Sequence, residues 1–168
     1  EFRILGPLEV YEGGKAVALG GRNQRVLLAL LLLNAGEVVS TDRLIDGLWG
    51  EEPPRTASTS LQNAVSQLRK VLGAERLVTK SPGYLLSLDG DELDTVRVSE
   101  LVATARTAEA EARVRSLREA ESHWHGTPLA DFAFESFAQT AIARLEELRL
   151  NVIEERIEAE LELGRHTD

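Results

Sequence analysis

"TASTSLQNAVSQLRKVLGAERLVTKSPGYLL", residues 56–86, contains a single acidic residue, Glu75, in a chain of 168 residues that carries 28 Asp and Glu and a net charge of −9. Turning 100° per residue from Leu61 places Leu61, Ala64, Val65, Leu68, Val71 and Leu72 inside an arc of about 120°, the width of a core-facing helical stripe. The opposite side then holds Thr59, Gln62, Asn63, Ser66, Gln67, Arg69 and Lys70. It is a surface of amides, hydroxyls and cations without a carboxylate. Gln and Asn can pair with an adenine edge and Arg with a guanine edge, while Ser, Thr and Lys satisfy phosphate oxygens. After Gly73, Leu77 to Lys80 and Tyr84 to Leu88 read as short strands around the Ser81-Pro82-Gly83 turn, which makes a hairpin beside the helix.

Upstream, "FRILGPLEV" (2–10) and residues 16–19 have β character around the "EGGK" turn at 12–15, so an N-terminal antiparallel sheet is expected. "RNQRVLLALLLLNAG" (22–36) is Leu-rich and ends on Asn34 and Gly36, as a buried central helix does. "STDRLIDGLWG" (40–50) opens on capping residues and puts Leu44, Ile45, Leu48 and Trp49 on one side, before Pro53-Pro54 breaks the path. Sheet, three helices and hairpin in that order make a winged helix-turn-helix, with the cationic helix in the reading position.

Charge distribution supports this placement better than the total does. Residues 54–88 contribute Arg55, Arg69, Lys70, Arg76 and Lys80 against Glu75, a local net charge of +4, whereas residues 95–168 are net −6. The same pattern is also what a solvated face looks like, so the charge alone does not decide. Cysteine is absent, which removes disulfides and thiolate metal sites and fits a reducing interior. The longest apolar run, Val26 to Leu33, is far short of the roughly 18 residues of a membrane span. With no basic and apolar leader before it, the expected location is cytoplasmic.

With these pieces in place the chain resembles the antibiotic-regulatory-protein (SARP) class of bacterial transcriptional activators, an OmpR-type winged helix followed by a bacterial transcriptional activation domain. The resemblance is carried by "FRILGPLEV", "RVLLALLLLNAGEVVSTDRLIDGLWGEEPP", "TSLQNAVSQLRKVLG", "RLVTKSPGYLL" and "ARLEELRLNVIEERIEAELELGRH". It implies a recognition helix over about Thr56 to Leu72 entering the major groove of double-stranded DNA, and a wing at Lys80, Ser81, Pro82 and Gly83 touching the minor groove or its phosphates. Arg69 and Lys70 match the paired basic residues of that helix, Arg55 and Thr59 lie at its start, and Tyr84 packs the hairpin. The resemblance further implies binding to direct repeats in promoters, contact with the RNA polymerase holoenzyme and control of secondary-metabolite genes. Relatives of this pattern carry a basic residue where Gln67 stands and often near Ser58. Each missing cation lowers the salt slope of duplex binding by about 0.9, a loss that a homodimer on DNA would offset through effective concentration.

From Asp94 the chain becomes Ala-, Glu- and Leu-rich, which sets the expected division at 1–94 for the DNA-binding domain and 95–168 for the start of an all-α domain. Residues 95–112 and 113–126 read as an antiparallel helix pair and 136–164 as one long helix stopped by Gly164. The resemblance implies tetratricopeptide-like hairpins continuing past Asp168, with Leu161 and Leu163 left partly uncovered at the open end. Enzymatic readings find no support: the histidines of "HWHG" (123–126) would point about 200° apart on a helix and could not share a metal. "ALGGRNQRV" lacks the Lys-Ser/Thr ending of a phosphate loop, and no nucleophile motif is present. No catalytic residue, metal or cofactor is expected. Two function classes remain, a sequence-specific DNA-binding activator and a protein-interaction module with little DNA binding of its own.

Overall fold

The computed structural model describes residues 1–164; Arg165 and His166, the end of the last family-like stretch, lie outside them. Strands β1 (Phe2–Arg3), β2 (Glu9–Glu12) and β3 (Lys15–Ala16) form the expected N-terminal antiparallel sheet in the order β1-β2-β3. Helix α1 (Arg22–Leu32) follows, buried without interruption from Val26 to Leu32. It is the central helix of the first core. Strand β4 (Val38–Ser40) and helix α2 (Thr41–Trp49) come next, with the Ser40 hydroxyl accepting the Arg43 N–H at 3.2 Å as the helix cap. Helix α3 (Ala57–Leu72) buries Ala57, Leu61, Ala64, Val65 and Leu68, while Val71 and Leu72 are half-buried. The core stripe read from helical spacing is therefore the one that packs.

The wing contains a strand that the spacing of residues 77–88 does not reveal. Strands β5 (Leu77–Lys80) and β6 (Gly83–Leu86) form the hairpin, and β4 pairs antiparallel with β6 through Val38 with Leu85, Val39 with Tyr84 and Ser40 with Gly83. A β-carbon on Gly83 would lie 1.9 Å from the Val39 carbonyl oxygen, so only glycine permits this approach of two backbones. The outcome is a three-stranded sheet, β4-β6-β5. Thr41 ties it to α2, donating through its N–H and its hydroxyl to the Pro82 carbonyl at 3.1 and 3.2 Å.

Helices α4 (Asp94–Thr107), α5 (Ala110–Ser122) and α6 (Ser136–Glu162) complete the described chain. The pair breaks at Ala108–Glu109, four residues earlier than its sequence suggests, because Ala112 and Arg113 continue α5 toward the buried Val114, Leu117 and Ala120. A second core joins these helices through Val98, Val102, Ala105, Val114, Leu117, Ala120, Trp124, Val152 and Ala159, with Leu5 inserted from the N-terminal segment. Conversely, Leu129, Phe132 and Ala138 belong to the first core. Leu161 is 52% exposed and Leu163 is partly covered by the second core.

Asp94 joins the two cores. Its carboxylate is 1% exposed and accepts N–H bonds from Ile4 at 2.9 Å and Leu5 at 2.8 Å, with Thr95 donating to the other oxygen at 2.9 Å. Asp94→Ala strands buried donors, each worth about 1–3 kcal/mol of desolvation penalty. The variant is expected to lose about 2–5 kcal/mol in urea denaturation while keeping its helical circular dichroism. Just before it, the Arg76 guanidinium, in a two-pronged pair at 2.7 and 2.8 Å, holds the Glu92 carboxyl down at about 2, helped by the Asp89 N–H. A depressed folded pKa adds stability that is present above the unfolded value near 4.5 and is lost as pH falls toward 2. Urea midpoints measured across that window should fall more steeply for the wild type than for Glu92→Gln.

Candidate nucleic-acid interface

The outer side of α3 is open: Ser58, Thr59, Gln62, Asn63, Ser66, Gln67 and Lys70 are all exposed. No acidic residue occupies its first turn and Arg69 and Lys70 lie in its last. Cations there complement the carbonyl end of the helix, which is the structural reason for the pair irrespective of any ligand. The packing that exposes the polar arc is local in origin. Leu61, Ala64, Val65 and Leu68 seat α3 against α1, and the side chains 180° away have nowhere to go but outward. Along α3, Ser60, Asn63 and Gln67 face Arg22, Asn23 and Gln24 across an open cleft of about 440 Å³. Thr59, Gln62, Asn63, Ser66, Gln67 and Lys70 thus share one surface.

Arg69 has a different position from its neighbour. It is half-buried, its Nε donates to the Leu77 carbonyl at 2.8 Å and its Nη2 to the Thr79 hydroxyl at 2.8 Å. Its guanidinium carbon stands 5.9 Å from the centroid of the Tyr84 ring. The side chain therefore bolts α3 to β5 and β6 and fixes the angle between helix and wing. Nη1 makes none of these bonds, so its N–H groups remain for an outside acceptor. Tyr84 packs in the hairpin, half-buried, as its sequence position suggests. Lys80 and Ser81 are exposed at the wing tip, and Arg55 is exposed in the segment leading into α3.

Among the described residues the cations sort into two groups. Arg3, Arg22, Arg25, Arg76, Arg97, Arg106, Arg113, Arg115, Arg118 and Arg156 lie in ion pairs with carboxylates. Arg43, Arg55, Arg69, Lys70 and Lys80 have no carboxylate partner within 4 Å, and all lie on α2, α3, the loop between them or the wing; Lys15, Arg144 and Arg149 are the others so placed. Arg43 escaped the sequence reading although the inward set Leu44, Ile45, Leu48 and Trp49 already placed it on the outer side of α2. An unpaired cation retains its full attraction for an outside anion, whereas a paired one must first give up its carboxylate.

No group of three His, Cys, Asp or Glu among the described residues is disposed to hold a metal ion, and no described helix is long and apolar enough to cross a membrane. His123 and His125 lie past the end of α5, and the buried Trp124 between them belongs to the second core.

Residues 14–86 match the model for the C-terminal domain of transcriptional regulatory proteins, and residues 93–168 match the bacterial transcriptional activator domain. The regulatory protein AfsR of Streptomyces griseus is 35% identical over 99% of the chain, and DnrI of Streptomyces peucetius is 35% identical over 99%. The chain spans 18% of the length of the former and 66% of the latter. The solved structure of Mycobacterium tuberculosis EmbR, described in complex with a low-affinity phosphopeptide, superposes with a TM-score of 0.92 at 33% identity, over 98% of this chain and 46% of that one.

The two neighbouring cations of α3 should separate on mutation. Lys70→Ala is expected to lower DNA affinity evenly across sequences and to reduce the salt slope by about 0.9 without moving the melting temperature. Arg69→Ala should lower both affinity and melting temperature, because the wing loses its attachment. Arg69→Lys, which cannot span two acceptors with a planar fork, should not restore either. Gel shifts at two salt concentrations alongside thermal melts distinguish these outcomes.

Proposed function

We propose that this chain, which belongs to the SARP-type family of bacterial transcriptional regulators, is the promoter-reading part of an activator that binds direct repeats in double-stranded DNA through α3 and the wing. The observation that carries the reading is the segregation of charge. In a chain of net charge −9, the arginines of the helical half are largely engaged by its own carboxylates, while Arg43, Arg55, Lys70 and Lys80 are left unpaired around the acid-free outer face of α3. Phosphate contacts from Arg43, Arg55, Lys70, Lys80 and Ser81 would set register, and Thr59, Gln62, Asn63, Ser66 and Gln67 would meet base edges. Arg69 acts chiefly by positioning the wing, with Nη1 available to a phosphate.

The division of labour follows the change of charge near residue 94. Residues 1–94 read DNA, and the net −6 helical half from residue 95 is repelled by phosphates and offers its surface to protein, the RNA polymerase holoenzyme being the partner that fits an activator. The division is functional rather than one of packing, since Leu129, Phe132 and Ala138 complete the first core. Control of secondary-metabolite genes and action in the cytoplasm belong to the same proposal, as does a homodimer on paired repeats. No chemistry is assigned to the chain, and no cofactor. A second reading, a protein-interaction module with weak DNA binding, draws on the neutral Ser58 and Gln67 and on the commitment of Arg69 to the wing.

Titration of the 168-residue chain onto promoter fragments at several salt concentrations separates the two. The activator reading expects preference for direct repeats and a log–log salt slope of about −3 to −4 per chain, from roughly one phosphate per unpaired cation of the interface. Equal, weak binding to repeat and scrambled DNA would select the interaction module.

A further inference from the structure

We infer that Phe134 is the anchor by which this protein docks onto a protein partner whose surface offers an apolar socket rimmed by Lys and Arg. The inference deepens the activator reading and rests on it. Phe134 is 102% exposed, the most exposed large apolar side chain among the described residues. Its neighbours in "DFAFESF" (131–137) behave differently: Phe132 is buried in the first core and Phe137 packs on it with ring centroids 5.5 Å apart. Local helix-capping does not account for the exposed ring. Phe134 precedes the Glu135 cap of α6, where an apolar residue commonly packs on the fourth helical position, but that position is Gln139 and its amide is spent on the Ala133 and Glu135 carbonyls at 2.6 and 3.3 Å.

Those bonds hold the turn that displays the ring. On its other side Arg22 grips both Glu135 oxygens, at 3.0 and 2.9 Å through Nη2, and donates from Nη1 to the Leu48 carbonyl at 3.0 Å. The turn is thereby fastened to the start of α1 and the end of α2. An aromatic ring shown on a fixed backbone loses little freedom when a partner covers it, and such residues dominate binding energy at protein interfaces. Beside it lies an open cleft of about 440 Å³ lined by Gly47, Leu48, Trp49, Gly50 and Ser136, with Trp49 half-buried. The chain leaving that cleft carries the exposed carboxylates Glu51 and Glu52, and Asp46 lies exposed one turn earlier; none of them is in an ion pair among the described residues. Free carboxylates on the segment that leaves the cleft disfavour nucleic acid at this end of the molecule and complement a basic-rimmed apolar pocket on protein.

The test uses the full 168-residue chain, a promoter fragment that it shifts, and RNA polymerase holoenzyme as the probe. Phe134→Ser is expected to melt with the wild type and to bind DNA with unchanged affinity, yet to weaken capture of polymerase on that DNA by about 10- to 100-fold. Phe134→Leu should retain part of the capture. Glu51→Lys with Glu52→Lys should weaken it as well, and by less at high salt. Capture by Phe134→Ser equal to wild type overturns the anchor, and so does a parallel loss of DNA affinity, which would put the ring on the DNA side. A wild-type chain that binds the promoter but holds no polymerase overturns the protein-recruiting half of the activator reading, and the anchor with it.

Discussion

One buried carboxylate sets the relation between the two cores. The Ile4 and Leu5 amides lie past the end of β1 and have no strand opposite them, yet both are deep in the protein. Asp94 supplies the acceptor for both from the first turn of α4, so the direction in which the helical half leaves the N-terminal sheet is set by hydrogen-bond geometry. Burial pushes its carboxyl above the ordinary range while the three N–H groups pull the other way. For an acid with a raised folded pKa, the titration term is most favourable below the unfolded value and is lost as pH rises through the folded one. The Ile4 and Leu5 amides donate to the same carboxyl oxygen, so that single atom is the acceptor on which the junction rests.

Two arginines extend that junction. Arg22 reaches Glu135 and the Leu48 carbonyl, and Arg25 bonds Asp131 and the Leu8 carbonyl. These pairs are partly exposed, so each contributes little to stability; their effect is to orient. They also remove from the outside world the cations at the head of α1, which leaves most of the uncompensated positive charge among the described residues on α2, α3, the loop between them and the wing. A protein that is acidic overall can attract a polyanion at one face in this way, because screening limits the remaining carboxylates to about a Debye length.

Much of this was legible in the sequence because it is written in short-range periodicity. The six-residue stripe of α3 could be read from 100° spacing, and the Ser40 cap and the SPG turn from residue chemistry alone. Strand β4 could not be read with equal ease, since Val38 and Val39 form a run too short to show alternation and acquire their strand character from pairing with β6. Arg69 and Lys70 look alike in sequence, and only the position of Leu77 and Thr79 in space separates a bolt from a free cation. The same holds for Phe132, Phe134 and Phe137, three phenylalanines in six residues whose fates differ because the turn at 133–135 points only one of them outward.

The contacts between the halves give the two proposed surfaces a fixed relation. Helix α3 packs on α1 through Leu61 and Leu68, α1 is held by Arg22 to the turn that carries Phe134, and Phe132 of that turn lies in the core that α1 organises. Each link is either a packed apolar contact or a hydrogen bond, and none passes through an extended loop. With α3 in the major groove, as proposed, Phe134 would stand at a set distance and rotation from the base pairs. For an activator this is a mechanical requirement. A partner held at one face can act at a promoter only if its position relative to the repeats is determined, and here the determination would come from side chains that lie outside both proposed surfaces.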